Sequence, residues 1–150
     1  MTTNADAIGP VVVDTTVLLA ATDMSRSAHV AATAFLSDDE RPLALTPQIV
    51  REYLAVATRP ETANGLGLTA AQARANVDEF LSDMRLLADD ATAVRRLLEL
   101  VSQGAATGKQ VHDANIVAVA VAHRAVTIVT DNLQHFTRYS DLISIEALQH

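Results

Sequence analysis

An α/β fold built on a central parallel sheet of about five strands is the prediction, and three observations carry it. Short apolar runs such as Val11-Val12-Val13 are continuous and β-branched rather than alternating, as in strands buried on both faces. They alternate with longer segments of helical period, the βαβ pattern whose crossovers are right-handed in nearly all cases. One such segment, from about Val111 to Arg124, is apolar on nearly every side and must be packed inside the molecule.

The elements follow in order. Residues 1–9 have neither a basic end nor an apolar run, so they read as a loose arm and not as a secretory signal. Pro10 to Asp14 is strand one, and helical spacing covers about Ser25 to Leu36. After the acidic Asp38-Asp39-Glu40 stretch, Leu43 to Leu45 is strand two. Thr46-Pro47 opens a helix, with Thr at the cap and Pro at the first helical position, where its missing N–H is not needed. That helix runs to about Thr58, and another runs from near Thr69 to about Met84. Arg85 to Ala88 is strand three, Asp89-Asp90 open a helix that ends near Gly104, and a small polar loop leads through Lys109 to the apolar helix. Val126 to Thr130 is strand four and Leu142 to Ile145 is strand five. With no repeat and no dividing linker, residues 1–150 are expected to form one domain.

Composition removes several classes of chemistry. No cysteine occurs, which excludes disulfides, thiolate zinc sites and a cysteine nucleophile. The longest apolar stretch, about Ala114 to Ala122, is too short to span a membrane, so the expectation is a soluble, cytoplasmic protein. A formal net charge of −7 opposes broad binding to nucleic acid, whose phosphates need Lys and Arg. That opposition is lifted only where acids are clustered ligands for divalent cations, because a bound cation reverses the local field.

The placement of four acids suggests such a cluster. In open parallel sheets, ligands bind beyond the carboxyl ends of the strands. Asp14 ends strand one and Asp131 follows strand four. Glu52 lies in the second turn of the helix leaving strand two, at the border of the apolar arc of Ile49, Val50, Tyr53 and Val56. Asp113 lies in the first turn of the helix that feeds strand four. Like charges so gathered are unfavourable unless a cation joins them, and Mg2+ or Mn2+ suits oxygen donors without Cys or His. Such ions activate water against a phosphodiester.

The stretches VVVDTTVLL, TPQIVREYLAVATRP, VHDANIVAVAVAH and VTDNLQHF, in that order, resemble the motifs of PIN domains, and more narrowly those of VapC toxins from bacterial VapBC toxin–antitoxin pairs. The resemblance spans nearly the whole chain. It implies a three-layer α/β/α PIN-like fold and a Mg2+- or Mn2+-dependent endoribonuclease that cuts structured RNA, tRNA or rRNA. It also implies silencing by a cognate VapB-type antitoxin and, with the apolar helix surfaces, a homodimer. By carry-over, Asp14, Asp113 and Asp131 are the metal ligands and Glu52 completes the catalytic set, with Thr15 and Thr16 orienting them by hydrogen bonds. The pattern departs at one place, because Asn132 stands where the functional polar residue after strand four often falls.

Other readings stay open beside it. Singly, Asp14 is a strand-ending Asx turn, Asp113 a helix-dipole acid, Glu52 a salt-bridge partner and Asp131-Asn132 turn chemistry. Asp89 and Asp90 read as caps, while Asp78, Glu79 and Asp83 read as a solvated face. His112 and His135 read as polar surface, and Arg51, Arg59, Lys109, Arg124 and Arg138 as candidates for phosphate contact. A non-catalytic PIN-like binding module is the alternative function. A haloacid-dehalogenase-like phosphatase fits less well, since Asp14-Thr15-Thr16 lacks the second acid of its motif, and a receiver domain lacks its extra acids and lysine.

Overall fold

The computed structural model describes residues 9–150, so most of the expected N-terminal arm lies outside the described residues. Five strands, β1 (Val11–Val13), β2 (Leu43–Leu45), β3 (Arg85–Leu86), β4 (Thr127–Thr130) and β5 (Ser144–Ala147), form one sheet in the order β3-β2-β1-β4-β5. Every pairing is parallel. The three central strands are buried throughout, which is why β1 and β2 are unbroken apolar runs and β4 is apolar between two buried threonines.

Six α-helices cover the sheet: α1 (Thr15–Thr22), α2 (His29–Asp38), α3 (Pro47–Thr58), α4 (Ala70–Asp83), α5 (Ala91–Gly104) and α6 (Gln110–Ala122). Right-handed crossovers carry α1 to α4 over one face, on the way from β1 to β3, and α5 and α6 over the other. The expected apolar helix is α6, buried continuously from Ala114 to Ala120. Local signals placed the caps well. Thr46 accepts from the Ile49 N–H with Pro47 behind it, and Thr69 and Gln72 form a reciprocal capping box. Among the described residues no helix is long and apolar enough to cross a membrane.

Three elements differ from expectation. Helix α1 follows β1 without a break, although Thr15, Thr16 and Val17 favour strands. Tertiary burial overrides that preference, since Thr15 and Val17 to Ala20 are all buried. Strand β5 lies two residues later than expected, with Ile145 paired to Ile128. Asp90 caps α5 as expected, but Asp89 instead accepts a 3.1 Å hydrogen bond from the Asn115 amide of α6.

At the sheet's amino edge, Arg41 grips Asp39 at 2.8 Å and reaches Glu146 on β5 at 2.8 Å, tying the entry of β2 to the far edge strand. The guanidinium holds the Asp39 carboxyl below the usual carboxylate range.

On β4, Ile128 has no exposed surface and sits between β1 and β5. Ile128→Ala removes three carbons from this site and should cost about 2–5 kcal/mol. Urea denaturation checks this, and a loss below ~1 kcal/mol would show that the sheet collapses around the gap.

Candidate active site

The strand order reverses between β1 and β4: the chain leaves β1 toward β2 and β3, then returns to the other side of β1 as β4. That switch opens a crevice at the carboxyl edge. Asp14 follows β1, with its backbone N–H bonded to Val129 O of β4 at 2.9 Å. Its backbone caps α1, but its carboxylate makes no cap bond.

The carboxylate turns instead to two threonines. Thr16 Oγ1 and Thr130 Oγ1 each donate to Asp14 Oδ2 at 2.8 Å. The same hydroxyls also accept from the backbone beyond β4: Asp131 N–H to Thr16 Oγ1 at 2.9 Å and Asn132 N–H to Thr130 Oγ1 at 2.9 Å. Asp14 is only 3% exposed. Burial therefore pushes its carboxyl above the ordinary range, against the lowering effect of Thr130, Thr16 and the Thr15 backbone, and the Glu52 charge adds to the rise.

Glu52 is half-buried on the second turn of α3. Its two oxygens accept from Thr15 Oγ1 and from Gln48 Nε2, each at 3.0 Å. Gln48 stands one turn before it, on the same face, and is steadied by Arg51 at 3.0 Å. Asp113, in the first turn of α6, is also half-buried. Burial is the largest cause of its raised pKa, opposed by His135 and His112 and reinforced by the charges of Glu52 and Asp14. These three carboxylates thus share one field. Among the described residues none of them forms an ion pair with Arg or Lys.

Asp131 stands apart. It is exposed, and its Oδ1 lies 2.7 Å from His150 Nε2. The neighbouring Asn132 gives its side-chain amide to His135 Nε2 at 3.0 Å. Among the described residues no three His, Asp or Glu side chains converge closely enough to hold one ion alone.

Thr15 and Thr16 hold Glu52 and Asp14 as expected. Thr130 and Gln48 were missed, although Thr130 is a buried hydroxyl beside Asp131 and Gln48 lies at the i−4 position to Glu52. His135 and His112, read as polar surface, are exposed, and their charge is among the causes that oppose the rise of the Asp113 pKa.

A parallel α/β sheet with an uncompensated group of acids at its switch crevice defines the class of protein. The chain belongs to the PIN domain family, whose model matches residues 11–142. No curated protein matches it in sequence. Solved structures do. A VapBC complex of Rickettsia felis bound to promoter DNA contains a chain 20% identical, with TM-score 0.66 and coverage of 93% of this chain and 99% of that one. DNA-bound VapBC of Salmonella typhimurium gives 20% identity, TM-score 0.66 and coverage of 95% and 100%. A sarcin–ricin-loop-cleaving VapC toxin of Mycobacterium tuberculosis gives 13% identity, TM-score 0.68 and coverage of 86% and 95%. At these identities the likeness establishes the fold.

Because the Asp14 carboxyl is harder to ionise folded than unfolded, it costs nothing below the ordinary carboxylate range. Its cost grows as pH rises through the raised value and is complete above it. In chelator, Asp14→Asn should therefore raise the melting temperature near pH 7, with the gain shrinking toward pH 4. Calorimetry across pH checks this, and a pH-independent difference would mean that burial leaves the Asp14 pKa the same in the folded and unfolded protein.

Proposed function

We propose that the chain is a Mg2+- or Mn2+-dependent endoribonuclease, the toxin of a toxin–antitoxin pair that cuts structured RNA such as tRNA or rRNA. One observation carries this reading: Asp14, Glu52 and Asp113 repel one another at the switch crevice, and no basic side chain among the described residues pairs with them. Neutral donors fix Asp14 and Glu52 but leave the repulsion in place, so a cation from solution would stabilise the arrangement.

The donor set fits such an ion, being all hard oxygen. Since no three side chains among the described residues converge on one point, an ion would meet one or two carboxylates first, keeping waters at its other positions until a further acid reaches it, and Mg2+ commonly keeps several waters. Asp14 and Asp113 are the principal ligands in this reading, and Asp131 joins them from the rim by releasing His150. When bound, the ion supplies Lewis acidity and charge neutralisation toward a phosphodiester. Glu52, its second oxygen fixed by Thr15, orients or deprotonates the attacking water. Thr16 and Thr130 keep the Asp14 carboxylate aimed, as hydrogen-bonded supports of a ligand do.

The structural neighbours support the partner as well. Several are toxins seen with their antitoxins, and a VapB-type protein offering Arg or Lys to the acidic edge would cancel the same repulsion a metal does. Val94 and Leu98, exposed one turn apart on α5, offer apolar surface to a homodimer. The working compartment in this reading is the cytoplasm. A PIN-like module that binds without cutting is the reading that loss of any metal response would favour.

Cleavage of total RNA should require Mg2+ or Mn2+ and stop with EDTA. Asp113→Asn should slow it by roughly 100-fold or more, and Thr16→Val by roughly 10- to 100-fold. Asp131→Ala should cost less than Asp113→Asn but more than Asn132→Ala. Full activity in EDTA sinks the metal mechanism, and a silent Asp131→Ala beside a dead Asn132→Ala removes Asp131 from the site.

A further inference from the structure

Strands β4 and β5 are parallel, with Ala147 paired to Thr130, so the residues that follow the two strands leave the sheet side by side. Leu148 is buried and its N–H donates to Thr130 O at 2.9 Å, which fixes the segment beyond β5 against the end of β4. Gln149 Nε2 donates back to Ala147 O at 3.1 Å. Just past this anchor, His150 Nε2 lies 2.7 Å from Oδ1 of Asp131, the residue that follows Thr130.

Asp131 is placed to join the acidic group but stays outside it. Its backbone N–H is held at 2.9 Å by Thr16 Oγ1, the same hydroxyl that donates to Asp14. Its carboxylate bonds to one side chain among the described residues, that of His150. The acids whose charges raise the Asp113 carboxyl are Glu52 and Asp14. Among the described residues no three acids or histidines converge closely enough to share an ion. Thr16 and Thr130 therefore aim Asp14 within the buried edge, whereas His150, with its side chain 45% exposed, holds Asp131 at the surface. Bringing Asp131 in to the other acids means breaking the 2.7 Å contact.

We propose that residues 148–150 are an autoinhibitory latch, in which His150 holds Asp131 out of the acidic group until a divalent cation draws that carboxylate in. The proposal rests on the metal reading of the site. The latch sets the cation concentration at which the site is completed, because the worth of the His150 contact is subtracted from the worth of recruiting a further ligand. For a pair this exposed the subtraction is modest. Any group that captured His150 would tighten cation binding without touching the crevice.

The test is Mn2+ binding to the full chain at one pH, followed by electron paramagnetic resonance of the free ion, with no RNA present and with melting by circular dichroism confirming the fold of each variant. His150→Ala should tighten Mn2+ binding about threefold, and His150→Gln, whose amide still donates to a carboxylate, should fall between it and the wild type. Asp131→Ala should weaken binding by roughly tenfold, and adding His150→Ala to it should change nothing further, since no acid is left to hold. Weaker binding in His150→Ala would overturn the latch and mark His150 as a support that aims Asp131. A gain that persists in the Asp131→Ala background would overturn it as well, because the effect would not pass through that acid. Mn2+ binding that ignores His150→Ala sinks the latch and leaves the metal reading standing, whereas absence of Mn2+ binding from every one of these proteins sinks both.

Discussion

Two threonine hydroxyls donating to one buried carboxylate are the interaction on which the carboxyl edge depends. Thr16 lies in the first turn of α1, Thr130 ends β4, and both donate to Asp14 Oδ2, so one acceptor atom joins the end of β1, the start of a helix and the end of the neighbouring strand. Each hydroxyl then accepts a backbone N–H from the Asp131-Asn132 turn. The direction in which the chain leaves β4 is therefore set by the same atoms that orient the acid. An apolar residue at either threonine would release the carboxylate and the turn together, because a valine can neither donate to Asp14 nor accept from the backbone.

The second constraint is electrostatic. Hydrogen bonds from neutral groups offset the desolvation of a carboxylate, but they do nothing about its neighbours' charge. Glu52 receives Thr15 and Gln48, Asp14 receives Thr16 and Thr130, and Asp113 has the two histidines nearby. The protein thus spends polar groups on aiming its acids and leaves their mutual repulsion unrelieved. Arg138 lines the same small pocket as Asp113, but its guanidinium donates to Gln110 and Gly104 and not to the acid.

Much of this was legible in the residues alone, and the rest was hidden for definite reasons. Val11 to Val13 and Thr127 to Thr130 announced themselves as buried strands because both faces are covered, and Thr46-Pro47 marked a helix start by local chemistry. Helix α1 was silent: its first residues favour strands, its cap residue turns its side chain elsewhere, and its burial on nearly all sides leaves no amphipathic period. The acids Asp14, Glu52 and Asp113 could be placed at one edge because topology alone sends the ends of β1 and the starts of α3 and α6 there. Asp131 could not be resolved in the same way. Beyond a strand's last pair the side-chain direction no longer follows the pleat, and its contact with His150 depends on a residue 19 positions away. Thr130 was overlooked because a threonine ending a strand is ordinary until its partner across 116 residues is known.

That separation sets the order in which the molecule becomes what it is. Strands β1 and β4 are neighbours in the sheet, but everything from α1 to α6 must be made between them. Contacts so distant in sequence close late in folding, after the local helices and the β1–β2 pair have formed. A chain growing from the ribosome therefore carries Asp14 and Glu52 for most of its synthesis before Asp113 is added, and Asp14 has no Thr130 to aim it. The acidic edge comes into being only when the last quarter of the chain, which carries Asp113 and Thr130, arrives, so its geometry is the last part of the molecule to be completed.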